Sequence, residues 1–438
     1  MVTMQDTSAG AGRNWAGNLE YGAARVVRPR SVPELQELLA GGGAGAGGTG
    51  RFRALGSRHS FNDLADTNGT LIETDGLPVV IDAGSAPGVV RVSGGVRYGA
   101  LAEALHARGL ALANLASLPH ISVAGAIATG THGSGDRIGS LATAVRAIGF
   151  ATADGSSRTL QRDDADFDGA VVHLGALGVV TAFELDVEPR YEVAQHVFDR
   201  PRWEAMLAEF DRVTSLATSV SIFTTWQATD TAELLWVKQR TDASGPTPAE
   251  ETSAFVVERL GATPADRPRH PVPGGATEAT TEQLGVAGPW HERLPHFRLA
   301  FTPSAGEELQ SEYLVPRRDA IAAIEAVRSL AGRIAPLLFV CEIRTVAADP
   351  LWLSLSHGAD AVALHFTWRP EQAAVEALLP VIEAALPETA RPHWGKLFAL
   401  PAEELRGRYP RWADFAALRE RMDPERCFTN AYLERLGL

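Results

Sequence analysis

Apolar residues recur along this chain with two different periods. Positions 26–27, 79–82, 89–92, 145–152 and 177–185 are short apolar or alternating runs, the pattern of strands. Positions 98–108 carry apolar residues at helical spacing and stop at Gly109, a glycine suited to ending a helix. Ser31-Val32-Pro33-Glu34 is a capping box with an early proline, so a helix opens there and runs through Leu39. Asp154-Gly155 is a hairpin signal, and Pro189 closes this first region. Further on, 320–330 and 373–385 read as amphipathic helices, 337–344 and 361–368 as strands, and 414–422 as a last helix. The glycine-rich stretch 41–50 follows a helix rather than a strand, so it reads as a flexible loop and not a nucleotide motif. Residues 241–288 are rich in Pro, Gly, Thr and acid, with one apolar patch at Phe255-Val256-Val257, and read as a long surface excursion. Strands and helices mixed with hairpins, and no internal repeat, predict an α+β fold.

Composition narrows the possibilities. A chain of 438 residues, 45% hydrophobic and 21% charged, has room for about two to three domains. Its net charge of −13 argues against nucleic acid or an anionic membrane as partner. Two cysteines, Cys341 and Cys427, argue against a disulfide framework and for a reducing compartment, so a cytoplasmic location is expected. Residues 1–14 are polar and small, without the apolar core of a signal peptide, and no run is long and apolar enough to span a bilayer. The twelve histidines show no H-E-x-x-H pattern and two cysteines cannot build a structural zinc site, so no metal is expected. A G-x-S-x-G nucleophile elbow is absent. Of the 40 basic residues only Lys238 and Lys396 are lysines. A lysine kept against such a bias points to a need for its amine, since Lys shifts its pKa on burial and Arg does not.

Two loops carry candidate chemistry. In Arg53-Ala54-Leu55-Gly56-Ser57-Arg58-His59-Ser60-Phe61-Asn62 a strand ends at Leu55, and Gly56 and Ser57 turn the chain. Their small side chains leave backbone N–H groups open to a phosphate. Alone, this is an anion-tolerant turn with a surface histidine, His59. The second loop, from Asn114 to Gly135, changes that reading. Ser122 is a good N-cap for a short helix of small residues, and Gly130, Gly133 and Gly135 alternate with Thr129, Thr131 and Ser134. Two such loops together are suited to holding a pyrophosphate from two sides.

A polar floor is also visible. Glu342 and Arg344 lie two apart on a predicted strand and share one face. A salt-bridged, exposed strand face is the ordinary explanation. The approach through Leu337-Leu338-Phe339-Val340-Cys341 is apolar, however, which favours a buried or cleft-lining pair. His365 and Thr367 repeat the pattern between Phe366 and Trp368. Lys396 follows Arg391-Pro392-His393-Trp394-Gly395 on a rigid, irregular segment.

Both loops resemble those of the FAD-dependent oxidases of the vanillyl-alcohol-oxidase type, and within them the alditol oxidases, related to the sugar-1,4-lactone oxidases. In that family a G-S-x-H-S-F-N loop carries a histidine joined covalently to the flavin, and an S-L-P-H-I-S-V-A-G-x-x-A-T-G-T-H-G-S-G loop lines the FAD. The resemblance runs from Asn14 almost to the C-terminus. It implies an FAD-binding domain over 1–188, a substrate-binding cap over 189–397, and a segment over 398–438 that returns to the FAD domain. It implies His59 as the covalent site. Gly56, Ser57, Arg58, Ser60, Ser117, Ser122, Gly125, Thr129, Gly130, Thr131, His132, Gly133, Ser134 and Val179 are then FAD neighbours. Ser117, Glu342, Arg344, Thr367 and Lys396 match the family's polyol-binding positions, and His365 joins Arg344, Lys396 and Glu342 as a catalytic candidate. Arg58 precedes His59 where a small residue is common, and it is expected to contact flavin or extend to solvent. Ala116, a small residue, is expected to admit dioxygen. The implied reaction oxidises the primary alcohol of a small polyol by hydride transfer to the flavin, which dioxygen reoxidises with release of peroxide. A monomer is expected. The rival readings are a sugar-1,4-lactone oxidase or dehydrogenase and a flavin-binding protein without turnover.

Overall fold

The computed structural model describes residues 11–42, 50–84, 86–242, 249–301 and 307–438. Strands β1 (Arg25–Val27), β2 (Phe52–Leu55) and β3 (Thr70–Glu73) form a parallel sheet with β3 in the middle. Helix α1 (Val32–Ala40) buries Leu35, Leu38 and Leu39 against it. The cap is formed: Ser31 Oγ accepts from the Glu34 N–H, while the Glu34 carboxylate reaches past the N-cap residue and accepts from the Arg30 N–H at 2.7 Å.

β4 (Ile81–Asp82), β5 (Val89–Ser93), β7 (Val145–Ala151), β8 (Ser157–Gln161) and β9 (Val179–Asp186) form an antiparallel sheet in the order β4-β5-β9-β7-β8. The short β6 (Leu110–Ala111) and β10 (Glu188–Pro189) pair with each other. Helix α2 (Tyr98–Ala107) buries Tyr98, Leu101 and Leu105 in the same core as Val90, Ile148 and Phe183. The short α3 (Val123–Ala128) starts at Ser122, whose Oγ accepts from the Gly125 N–H.

The third sheet is larger and antiparallel. It is built from β11 (Glu192–Asp199), β12 (Ser219–Thr224), β13 (Leu234–Arg240), β14 (Thr263–Pro264), β15 (Gly288–Pro289), β16 (Leu309–Pro316), β17 (Leu338–Val346), β18 (Ala361–Trp368) and β19 (Arg391–Pro392). The order is β14-β11-β13-β12-β17-β18-β16-β19, with β15 also on β11. Side chains alternate between the two faces. Cys341, Ile343, Leu364, Phe366, Tyr313 and Val237 point to one face, where helices at 203–214, 320–329 and 372–385 cover them. Glu342, Arg344, His365, Thr367, Gln310 and Glu312 belong to the other. The register puts Glu342 opposite His365 and His365 opposite Glu312, so the polar residues form one block across three strands.

The excursion over 241–288 is more deeply built in than its composition suggests. A helix at Ala249–Glu258 buries Phe255 and Val256, and β14 and β15 both pair with β11. Residues 243–248 of it, 43–49 of the glycine-rich loop and 1–10 of the N-terminal stretch lie outside the described residues. Among the described residues, no helix is long and apolar enough to cross a membrane.

The end of the chain returns to its beginning. The Phe52 N–H donates to Cys427 O at 2.7 Å. The buried Arg53 guanidinium donates to the carbonyls of Leu64, Leu174, Gly175 and Phe428. Asn430 gives its amide N–H groups to Asp63 O, Leu64 O and Asp66 O, while its Oδ1 caps the helix Ala431–Leu436 through the Leu433 N–H. Asn430→Ala removes a helix cap and takes a donor from three carbonyls, of which Leu64 O keeps Arg53 and Asp63 O keeps the Asp66 N–H, so it should cost about 1–2 kcal/mol in denaturant unfolding. A loss below about 0.5 kcal/mol would mean that water satisfies these carbonyls instead.

Candidate active site

A cavity of about 350 Å³ lies between the two loops and the polar face of the large sheet. The loops are tied together: the Ser122 N–H donates to Ser57 Oγ at 3.0 Å. Gly56 has no room for a side chain, since a Cβ there would lie 2.3 Å from Ser122 Oγ. His59 stacks on Trp15, with ring centroids 5.2 Å apart. Among the described residues, its buried Nδ1 has no hydrogen-bond partner. Burial lowers the His59 pKa to about 4, against the opposing pull of a backbone hydrogen bond at Ser57, so the ring is neutral.

The opposite wall is ionic. Glu312 is 1% exposed, and its two oxygens are divided between two cations. Arg344 Nη2 donates to Oε1 at 2.7 Å and Lys396 Nζ to Oε2 at 2.7 Å. His132 Nε2 lies 3.3 Å from Oε1. Burial works to raise the Glu312 pKa, but Lys396, His132 and Arg344 hold it well below the carboxylate range. Glu342 behaves likewise: burial opposes ionisation, and Arg344 and His296 enforce it. Lys396 goes the other way. Burial outweighs the attraction of Glu312, and its pKa falls. Arg344 also donates to Ser117 Oγ at 3.3 Å, and its Nε lies 3.6 Å from Glu342 Oε2. Burial and neighbouring cations push His365 and His393 well below the usual histidine range, so both are neutral.

The cavity gathers most of the residues expected from sequence. Gly56, Ser57, Arg58, His59, Ser60, Ser117, Ser122, Gly125, Thr129, Thr131 and His132 line it from the loops. Glu342, Arg344, His365, Thr367 and Lys396 line it from the sheet side. Four expected cofactor neighbours do not. Gly130, at φ 68°, closes α3, and a Cβ there would meet Leu355 and Val172 only at ordinary contact distance, so the glycine answers the left-handed backbone. A Cβ on Gly133 would lie 2.3 Å from Asn114 Oδ1 and 2.5 Å from Leu115 O, so this glycine serves chain packing. Ser134 Oγ donates to Val220 O and accepts from the Thr345 N–H, pinning the loop to β12 and β17. Val179 packs in the core with Phe52, while its neighbours Gly178 and Val180 line the cavity. Arg58 lines the cavity and stays partly exposed, and its guanidinium donates to Glu73 at 2.8 Å and Ala11 O at 2.7 Å.

Sequence reasoning missed Glu312, His296, Gln310 and the cavity-lining His270, Pro271 and Val272 of the 241–288 stretch. Glu312 carried a usable signal. Gln310 and Glu312 lie two apart just before the apolar run Tyr313-Leu314-Val315, so on a strand they share one face, as Glu342 and Arg344 do. His296 carried none, since it lies on an irregular segment.

These residues suit FAD: two loops with open backbone, a neutral histidine with a free buried nitrogen, and a polar floor beyond it. Comparison with known proteins agrees. The FAD binding domain family matches residues 23–161, and the D-arabinono-1,4-lactone oxidase family matches residues 306–436. An alditol oxidase from Streptomyces sp. is 49% identical over 431 residues, covering 97% of this chain and 98% of that one. An L-gulono-1,4-lactone dehydrogenase from Mycobacterium tuberculosis is 31% identical over 429 residues, covering 97% and 98%. The crystal structure of cholesterol oxidase from B. sterolicum superposes with a TM-score of 0.76 at 15% identity, covering 100% of this chain and 97% of that one, a likeness of fold. The chain belongs to the FAD-dependent oxidoreductases of the vanillyl-alcohol-oxidase type, in the branch that holds alditol oxidases and sugar-1,4-lactone oxidoreductases.

Proposed function

We propose that this protein oxidises the terminal primary alcohol of a small alditol, such as xylitol or sorbitol, to the aldose, with dioxygen reduced to hydrogen peroxide. The observation that carries the reading is the pair of cations, Arg344 and Lys396, sharing one buried carboxylate on a wall of the cavity that His59 also lines. FAD, held by the two loops and attached through His59, supplies the two-electron redox chemistry. The free, neutral Nδ1 of His59 supports that attachment.

The chain's own residues bind and polarise the substrate. Arg344 and Lys396 donate to the reacting hydroxyl and favour its alkoxide form as the proton leaves. Lys396 stays the ammonium that Glu312 holds at 2.7 Å, so its part is to donate to the developing alkoxide, and the neutral His365, whose buried Nε2 has no hydrogen-bond partner among the described residues, is placed on the same wall to accept the proton. Glu342 accepts hydrogen bonds from neighbouring hydroxyls, and Ser117 and Thr367 orient the rest of the polyol. Ala116, also on the cavity wall, leaves space for dioxygen. Two cysteines without a disulfide support a cytoplasmic setting.

The matching D-arabinono-1,4-lactone oxidase family favours a second reading, oxidation of a sugar-1,4-lactone. The higher identity to the alditol oxidase favours the first. Peroxide-coupled turnover of xylitol, sorbitol and gulonolactone separates them: the alditols should be turned over with a higher kcat/KM than the lactone, and preference for the lactone would reverse the assignment.

His59→Ala should fold and release its flavin on denaturing gel electrophoresis, whereas the wild-type band stays fluorescent. Fluorescence retained by the variant would move the attachment elsewhere. Lys396→Arg and Lys396→Met should each slow anaerobic flavin bleaching by xylitol at least about tenfold, roughly 1.4 kcal/mol of transition-state stabilisation. Arg fails because its planar fork replaces a compact amine. Near-normal rates in both would leave Arg344 as the group that activates the hydroxyl.

A further inference from the structure

The second lysine is buried more deeply than the first. Lys238 sits on β13, 1% exposed, on the same face of the sheet as Glu342. Its Nζ donates to Leu294 O at 2.6 Å and to Pro295 O at 3.0 Å, and lies 3.1 Å from His296 Nδ1. The other ring nitrogen, His296 Nε2, lies 2.8 Å from Glu342 Oε1. The His296 N–H donates to Ser117 O at 3.0 Å, so this one residue touches two of the proposed polyol-binding positions.

The tautomer of His296 follows from its neighbours. Glu342 is ionised and can only accept, so Nε2 must carry the hydrogen. Protonation of both nitrogens is disfavoured, since burial lowers the His296 pKa to about 4. Nδ1 is therefore an acceptor in need of a donor. Burial lowers the Lys238 pKa to about 7, and below that pH the ammonium provides the donor: Leu294 O and Pro295 O take two of its three N–H groups and leave the third for the ring. Trp236 and Phe223 meet the ring edge-on at centroid distances of 5.1 and 5.6 Å and keep it in this plane.

We propose that Lys238 is a positioning residue for substrate binding: its ammonium fixes His296 as the Nε2–H tautomer, and His296 in turn holds Glu342 as an ionised acceptor aimed at the polyol. The inference rests on the reading of Glu342 as a hydroxyl-binding group. Arginine cannot serve here, because its fork does not fit a three-way junction of two carbonyls and a ring nitrogen. This accounts for a lysine in a chain whose other basic residues, Lys396 apart, are arginines.

The test combines spectroscopy with a mutant cycle on the holoenzyme. In protein labelled with ¹⁵N-histidine, the His296 signals are those that vanish in His296→Gln. They should show Nε2 protonated in the wild type and a loss of that pattern in Lys238→Met. KM for xylitol should rise at least about tenfold in Lys238→Met, while flavin reduction at saturating xylitol stays within about threefold. His296→Gln keeps a donor toward Glu342 and removes the link to Lys238, so adding Lys238→Met in that background should change KM by less than about twofold. A wild-type His296 protonated on Nδ1 overturns the proposal, as does an unchanged KM in Lys238→Met or an equal rise in both backgrounds. If Lys238→Met does not fold, the wild-type tautomer decides. If wild-type protein ignores xylitol, the substrate reading fails, and the spectra still judge the Lys238–His296 link.

Discussion

One buried carboxylate holds the two halves of this molecule in working relation. Glu312 is buried on the cavity wall, and three segments far apart in sequence meet on it: β17 through Arg344, the irregular segment after β19 through Lys396, and the second loop through His132. Two cations brought this close inside a protein repel each other unless an anion lies between them. Removing such an anion typically costs about 3–5 kcal/mol, because it leaves its partners buried and unpaired. The carboxylate therefore makes it possible for a guanidinium and an amine to face the same small volume. It also sets a limit, since any group that displaces it must bring its own negative charge or accept a proton.

The sheet supplies the rigidity that this arrangement needs. Phe366 and Trp368 stack at 5.0 Å with nearly parallel rings on the face away from the cavity. The Trp368 indole N–H donates to Ser311 Oγ, and Tyr313 donates to Glu383 on the covering helix. Each polar residue on the cavity side thus has an apolar or hydrogen-bonded neighbour behind it in the same strand. Rotation of a strand by one residue would exchange the two faces completely, so the register of β16, β17 and β18 and the chemistry of the site are one and the same constraint.

Much of this was legible in the sequence, and the gaps have physical causes. Period-two alternation placed Glu342 with Arg344 and His365 with Thr367 on one face, because a strand in a layered sheet has no other choice. The capping box at Ser31 and the glycine at 109 marked helix ends for equally local reasons. What was lost depended on contacts between distant segments. Gly133 and Ser134 look like ligand-binding residues, since small size and hydroxyls serve ligands and chain crossings alike, and the structure places them at crossings with Asn114, Leu115 and Val220. The stretch over 241–288 looked like surface because its composition is polar, yet β14, β15 and Phe255 are held by pairing and packing that no local pattern announces.

The hydrogen bonds that join residues 52–66 to residues 427–430 also order events in time. The loop that carries His59 leaves the ribosome early, whereas Cys427, Phe428 and Asn430, which brace the strand and turn on either side of it, are made several hundred residues later. At roughly 5–20 residues per second, that interval is on the order of tens of seconds. Through it, Arg53 lacks the Phe428 carbonyl, and the turn over 63–66 lacks the Asn430 amide. A nascent chain thus cannot finish its nucleotide pocket as it emerges, and capture of the cofactor becomes a late, post-translational step that waits on the tail.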